Sequence, residues 1–243
     1  MPIIKLNAID STNAYIKRKA LMRELEDFTT VVAKLQTEGR GQMGTRWQSE
    51  GSKNLMCSIY KRISGVENNR QYYISMITAL AVTDALKTLN IPKISIKWPN
   101  DILSEGHKIG GILIENLIKH NKIHATIIGI GLNVNQKFFY KLPKASSLYV
   151  LTGQLFDTDE LMTLILKHLK EQFRLLENHD FKLIKSNYEA LLFRKQKPST
   201  FETSYGKHFT GYINGVTEDG KLEVMVEDGI LKTFDLKEVS LKY

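Results

Sequence analysis

A chain of 243 residues is long enough for one large domain, or a large and a small one, around a sizeable core. Apolar residues make up 42 % and charged residues 25 %, with no window approaching eighteen unbroken apolar positions; disordered and helical membrane-spanning classes are excluded. The 34 Lys and Arg exceed the 26 Asp and Glu by +8, a bias toward anionic partners that does not by itself specify nucleic acid, since no block of five like charges occurs.

The opening MPIIKLNAID lacks the apolar core of a signal peptide. Asp10, Ser11, Thr12 and Asn13 are N-cap candidates ahead of AYIKRKALMREL, where Ala14, Leu21 and Leu25 share a narrow apolar stripe, so a first helix is expected there. TTVVAKLQ (29–36) and NLMCSIYKR (54–62) read as strands on either side of the loop TEGRGQMGTRW (37–47). The second of these strands holds the single cysteine, Cys57. One thiol can form neither an intrachain disulfide nor a thiolate metal cluster, and a reducing cytoplasmic setting is expected.

A second helix is expected over 70–89, with Ile74, Ile77, Ala81 and Ala85 on one face and Asn90 and Pro92 ending it. Three strands should follow at 93–98, 108–118 and 124–135; the last two are nearly continuous apolar runs, as in strands covered on both faces. After a looser stretch (136–156) come two helical patterns, ELMTLILKHLKEQFRLLE and FKLIKSNYEALLF. The remainder consists of short β-type runs punctuated twice by Glu-Asp-Gly, at 218–220 and 227–229, a hairpin signal. A domain boundary is therefore expected near residue 194, with domains at 1–193 and 194–243.

Four segments offer chemistry. In the 37–47 loop, Gly39, Gly41 and Gly44 permit close backbone approach, while Arg40 and Arg46 present planar cations suited to phosphate or carboxylate. It is not a phosphate-binding Walker loop, because no Gly-Lys-Ser/Thr follows, and its GxGxxG spacing sits in no βαβ unit. KWPND (97–101) places Asn100 and Asp101 in a turn after Pro99, where a carboxylate can bind Mg²⁺, orient an amine, or merely serve the backbone. KIGGILIE (108–115) puts Lys108 at a strand entry beside Gly110 and Gly111, a pairing that marks close approach by a ligand or another backbone. GIGLNVN (129–135) ends in Asn133, which can bond a ligand or close a turn. The six histidines are dispersed, and no G-x-S-x-G elbow is present.

In their order and spacing, DSTN (10–13), QTEGRGQMGTRW (36–47), KWPNDI (97–102), KIGGILIE and GIGLNVN resemble the biotin protein ligases over nearly the whole chain. The resemblance is to the short form, without an N-terminal DNA-binding domain, so no DNA or membrane partner is expected. It implies an α+β fold, a mixed β-sheet with flanking helices of the class II synthetase-like kind, plus a small C-terminal SH3-like β-barrel. It implies substrates biotin and ATP with Mg²⁺, an intermediate biotinyl-5′-AMP, and transfer to a lysine of a biotin carboxyl carrier protein or domain. Lipoate ligase or octanoyltransferase, of the same superfamily, is the alternative; the loop here differs from theirs. A homodimer through a sheet edge is compatible with this fold.

Carried over by position, the resemblance implies catalytic Lys108, Arg40 and Asp101, with Asp101 also the candidate Mg²⁺ ligand. Ser11, Thr12, Asn13, Gln36, Arg40, Gly41, Gln42, Lys108, Gly110 and Gly111 are the implied biotin set. Arg40, Trp47, Asn100, Lys108 and Asn133 are the implied nucleotide set. One departure stands out: Gln42 and Met43 occupy the loop where many relatives carry a basic residue.

Overall fold

The structure is a computed structural model that describes every residue except 23, 65 and 121. The first sheet has seven strands: β1 (Ile3–Ile9), β2 (Thr30–Gln36), β3 (Leu55–Arg62), β4 (Ile94–Lys97), β5 (Asp101–Ser104), β6 (His107–Lys119) and β7 (Lys122–Leu132). Their spatial order is β1-β2-β3-β7-β6-β5-β4. Among the described residues, only β1 and β2 of this sheet pair in parallel, and a parallel pair needs a crossover, which α1 (Thr12–Met22) supplies. The opposite face carries α2 (Tyr72–Thr88), α4 (Thr158–Glu177) and α5 (Phe181–Ala190); the short α3 (Leu148–Thr152) lies between β7 and α4.

Burial on both faces explains the apolar runs of β3, β6 and β7. On the α2 side, Leu55, Ile59, Ile112, Ile128 and Ile130 meet Ile74, Ile77, Ala81 and Ala85, all buried. The expected α2 face is thus buried, and so are Tyr73, Met76, Ala79, Leu80 and Val82, because α4 covers its other flank. α4 begins where the Asp157 carboxylate accepts from Asp159 N (2.7 Å) and Glu160 N (3.1 Å), which satisfies two otherwise orphan donors.

Three readings change. The first helix starts at Thr12 and ends at Met22; Leu21 is 76 % exposed, and Asn13, Ala14 and Ile16 form the buried face. Only the first half of α1 lies over the sheet, so the seven-residue spacing picked out a position already in solvent. β1 is a further strand, in which Ile4 and Leu6 alternate with exposed Ile3, Lys5 and Asn7. Asp101 is not a turn residue but the first of β5, paired with Lys97 and Gly111.

The second sheet contains β8 (Pro198–Thr203), β9 (His208–Val216), β10 (Leu222–Met225), β11 (Leu231–Phe234) and β12 (Val239–Lys242), in the order β11-β10-β9-β8-β12. All its pairs are antiparallel, and both Glu-Asp-Gly triplets lie in hairpin connections. This is consistent with an SH3-like domain, although no pairing among the described residues closes β11 onto β12 into a barrel.

The second sheet docks through a shared core, Phe201, Ile213, Val216, Leu222 and Val224 joining the cluster that contains α2 and α5. Polar contacts set its orientation. Trp98 Nε1 donates to the Gly220 carbonyl at 2.8 Å, and Val216 N donates to Glu189 Oε1 at 3.1 Å. Gly220 has φ +93°, and a β-carbon on it would lie 2.2 Å from Tyr72 Cγ. Gly220→Ala should therefore cost about 2 kcal/mol or more, from overpacking added to backbone strain. Thermal unfolding is the measurement, and an unchanged midpoint would contradict this docking geometry.

Candidate active site

The central strands lack β-carbons where they meet α1 and the 37–47 loop. Gly129 and Gly131 of β7 and Gly111 of β6 point to one face and form a floor. A β-carbon on Gly129 would lie 2.4 Å from Asn13 Oδ1, one on Gly131 2.6 Å from Trp47 Cε2, and one on Gly111 3.2 Å from Trp47 Cζ3. Gly110 faces the other way, toward Leu132 and Ile102, so it serves packing and does not line the cavity. Above the floor is a cavity of about 340 Å³, bounded by the start of α1, the 37–47 loop, the β4–β5 turn and the β12 side of the second sheet.

At one end is a polar corner. Thr12 N donates to Gln36 Oε1 at 2.8 Å, and Thr12 Oγ1 lies 3.0 Å from the same oxygen. Ser58 Oγ lies 2.7 Å from Thr12 Oγ1 and 2.5 Å from Asn13 Oδ1, while Asn13 Nδ2 donates to Glu115 Oε2 at 2.9 Å. Ser11, Thr12, Asn13 and Ser58 are all buried, and buried polar groups must be bonded to one another or to a ligand. Ser58 and Glu115 were missed in the sequence. A serine inside LMCSIY and a glutamate inside an apolar strand were the available signals. The Cys57 thiol points to the opposite face of β3, into the core against α2, and burial pushes it up to about 12; it is a neutral, inert group.

At the other end is a charged cluster. Lys108 Nζ lies 2.6 Å from Asp101 Oδ1, and Lys97 Nζ lies 3.7 Å from Asp101 Oδ2. Burial lowers the Lys97 pKa, and Lys108 and Lys144 add to that, against the attraction of Asp101. Among the described residues, Asp101 is the one carboxylate lining the cavity, and both its oxygens face lysines. Among the described residues, no group of three His, Cys, Asp or Glu converges. This donor set makes no all-protein Mg²⁺ cage; Asp101 offers a single carboxylate, already paired with two lysines.

The loop itself is a small hairpin. Arg40 and Arg46 face each other across it, with Gly41 N donating to Thr45 O (2.7 Å) and Trp47 N to Gly39 O (3.0 Å). β-carbons on Gly39 and Gly41 would lie 2.5 Å from Trp47 O and 2.4 Å from Thr45 Oγ1; Gly44 turns the tip with φ +81°. Arg46 Nη2 donates to Thr37 O at 2.7 Å, whereas Arg40 is exposed and forms no ion pair among the described residues. From the second sheet, Lys237 Nζ donates to Met43 O at 3.2 Å. Trp47 ends the loop over the glycine floor, its Nε1 buried and without a hydrogen-bond partner among the described residues, and Lys108 Nζ is 5.8 Å from its ring centre.

Of the residues singled out in the sequence, Ser11, Thr12, Asn13, Gln36, Arg40, Gly41, Gln42, Trp47, Asn100, Asp101, Lys108 and Gly111 line this cavity. Asn100 is partly committed, its Nδ2 donating to Ile112 O (2.8 Å) while Ile112 N donates to the Asn100 backbone carbonyl (3.0 Å). Asn133 lies outside the lining. Its side chain is buried and donates to Ser146 O at 3.0 Å, bracing the segment that pairs with the Lys108 backbone. Phe193, Leu236, Lys237 and Ser240, none of them expected, complete the wall.

A sequence model described as the biotin/lipoate A/B protein ligase family matches residues 6–133. The bifunctional ligase/repressor BirA of Bacillus spizizenii is 31 % identical over 210 residues, 85 % of this chain and 64 % of that protein; the chain thus spans less than two thirds of this relative. The biotin–[acetyl-CoA-carboxylase] ligase of Mycobacterium tuberculosis is 27 % identical over 215 residues, covering 87 % of this chain and 79 % of its own. Among solved structures, the biotin protein ligase from Aquifex aeolicus in complex with biotin and ATP superposes with a TM-score of 0.83 at 29 % identity, covering 99 % of this chain and 98 % of that one.

The glycine floor can be tested without a ligand. Gly131→Ala should displace the Trp47 ring and cost about 1–3 kcal/mol, as overpacking does. Trp47 and Trp98 are the two tryptophans, so the displacement should appear as red-shifted emission more readily quenched by iodide. An unaltered spectrum would rule out this packing.

Proposed function

The chain belongs to the biotin/lipoate A/B protein ligase family, and on that footing we propose that it is an ATP-dependent biotin protein ligase. The observation that carries this reading is the joining of two chemically different ends in one cavity. A buried corner of amide and hydroxyl groups lies at one end, and a lysine–aspartate–lysine cluster at the other. Biotin has the matching polarity, a ureido ring at one end and a carboxylate at the other. Likeness to a ligase solved with biotin and ATP supports the same reading.

In the proposed reaction, a biotin carboxylate oxygen attacks the α-phosphorus of ATP, pyrophosphate leaves with the electron pair of the broken P–O bond, and biotinyl-5′-AMP remains. The amine of an acceptor lysine then attacks the acyl carbon, releasing AMP and a proton and leaving biotin in amide linkage. Ser11, Thr12, Asn13 and Gln36 would bind the ureido ring. Lys108 would stand between the carboxylate and the phosphate. Two unit charges 4 Å apart repel by about 4 kcal/mol at an effective dielectric of 20, and a fixed cation there offsets that cost as the anions meet. As Lys108 turns to the substrates, Asp101 is released to orient the incoming amine. Mg²⁺ would enter on the ATP phosphates, where that small ion ordinarily takes many of its ligands. Arg40, Gly41 and Gln42 would close over the adenylate and exclude water, with Trp47 and Asn100 on the nucleotide side.

Residues 1–193 would carry this chemistry, with 194–243 as a docked second domain. The acceptor would be a carrier domain of a biotin-dependent carboxylase. GRGQMG and KWPND favour biotin over a lipoyl or octanoyl substrate. Isotope exchange between pyrophosphate and ATP should depend on biotin, and Lys108→Ala should lower its rate about 10²-fold or more. Exchange supported by lipoate or octanoate and not by biotin would overturn the assignment.

The neutral loop tip leads to a second expectation. Arg46 lines the cavity but spends one of its N–H donors on the Thr37 carbonyl, so either it compensates in part for the neutral Gln42 or the intermediate is held less tightly. Gln42→Arg should slow dissociation of biotinyl-AMP several-fold in a filter-retention assay; an unchanged rate would remove charge at the tip as a determinant.

A further inference from the structure

The tip of the 37–47 loop carries no charge of its own at Gln42 and Met43, yet a cation reaches it from the second sheet. Lys237, in the β11–β12 turn, donates from Nζ to Met43 O at 3.2 Å and lines the same cavity as Arg40, Gln42 and Lys108. An ammonium has three N–H donors, and this contact uses one. Among the described residues, Lys237 pairs with no carboxylate. Arg40 and Arg46, the loop's own cations, face each other across its stem.

The turn that carries Lys237 is held by its own acids. Glu238 Oε2 accepts from Asp235 N at 2.7 Å, Asp235 Oδ1 accepts from Leu236 N at 2.7 Å, and Glu238 N donates to Asp235 O at 3.2 Å. Both carboxylates are thus engaged on the backbone and not on the neighbouring lysine. These bonds keep Lys237 at φ +67°, a left-handed conformation that glycine adopts without steric cost and lysine does not. A turn that only joined two strands would be easier to make with glycine at this position. What lysine adds is an ammonium at the cavity wall, carried on a backbone that is itself fixed.

Within the ligase reading, we propose that Lys237 is a phosphate-binding residue, which supplies to the adenylate from the second domain the positive charge that the loop tip lacks. The Met43 carbonyl is its resting partner. A group covered by the tip lies within reach of the same long side chain, whose remaining N–H donors can turn to a phosphate oxygen. That charge-assisted bond is stronger than one to a neutral carbonyl. The second sheet is then part of the nucleotide site and not only a wall around it.

The test follows dissociation of biotinyl-AMP, formed in place from biotin and MgATP, by filter retention. Lys237→Ala should speed it about tenfold, as loss of one hydrogen bond to a charged group does. Lys237→Gly removes the same charge but relieves the backbone, and should speed it by the same factor. The wild-type rate should rise more steeply with salt than that of either variant, because the missing interaction is between charges. Gln42→Arg placed in the Lys237→Ala background should bring the rate back to within about twofold of wild type. Affinity for biotin alone, which brings no phosphate, should change less than about twofold. An unchanged rate in Lys237→Ala, or a Lys237→Gly protein that behaves as wild type, would overturn the inference. So would an equal loss of affinity for biotin alone, which would make Lys237 a tether of the loop and nothing more. Failure of the wild-type protein to form biotinyl-AMP would instead overturn the ligase reading on which the inference rests.

Discussion

Three absent β-carbons set the shape of the site. Gly111, Gly129 and Gly131 lie side by side on the two central strands, and the groups above them sit where methyl groups would otherwise be. Asn13 occupies one of these spaces and the Trp47 ring the other two. Strands β6 and β7 could be replaced by any apolar pair if the sheet were only a scaffold. The glycines weaken the strands locally and in return bring α1 and the loop within bonding distance of the sheet. The polar corner, the seat of the tryptophan and the width of the cavity all follow from that approach.

The charged end depends on a different constraint. Asp101 begins β5 directly opposite Lys97 and Gly111, and Lys108 is the second residue of the next strand, so the tight β4–β5–β6 turns hold two cations about one carboxylate. Such a cluster is poised for exchange: an arriving anion can take one lysine and leave the other to hold Asp101. The +8 net charge is a weak guide to this, since the decisive charges are three side chains placed by strand register.

The second sheet is part of the same enclosure. Lys237 reaches the Met43 carbonyl at the loop tip, and Trp98, next to the β4–β5 turn, is bonded to Gly220. Both parts of the wall are therefore tied to residues more than a hundred positions away. Loss of the second sheet would loosen the loop and the turn together, even though few of the motif residues lie in it.

The sequence by itself determined most element types, the two hairpin turns of the second sheet and many of the residues that line the cavity. These depend on local chemistry: Gly-rich close approaches, apolar runs covered on both faces, and Asp-Gly turns. It left out β1, the true face of α1, and the strand position of Asp101, because each depends on what packs alongside and not on the segment's own pattern. Tertiary structure alone decided that Gly110 and Gly111 face opposite sides, that Asn133 braces a wall and does not line the cavity, and that Ser58 and Glu115 join the polar corner. A strand pattern says which residues alternate, but which face meets a helix, and at what distance, is set only when the sheet and its neighbours come together.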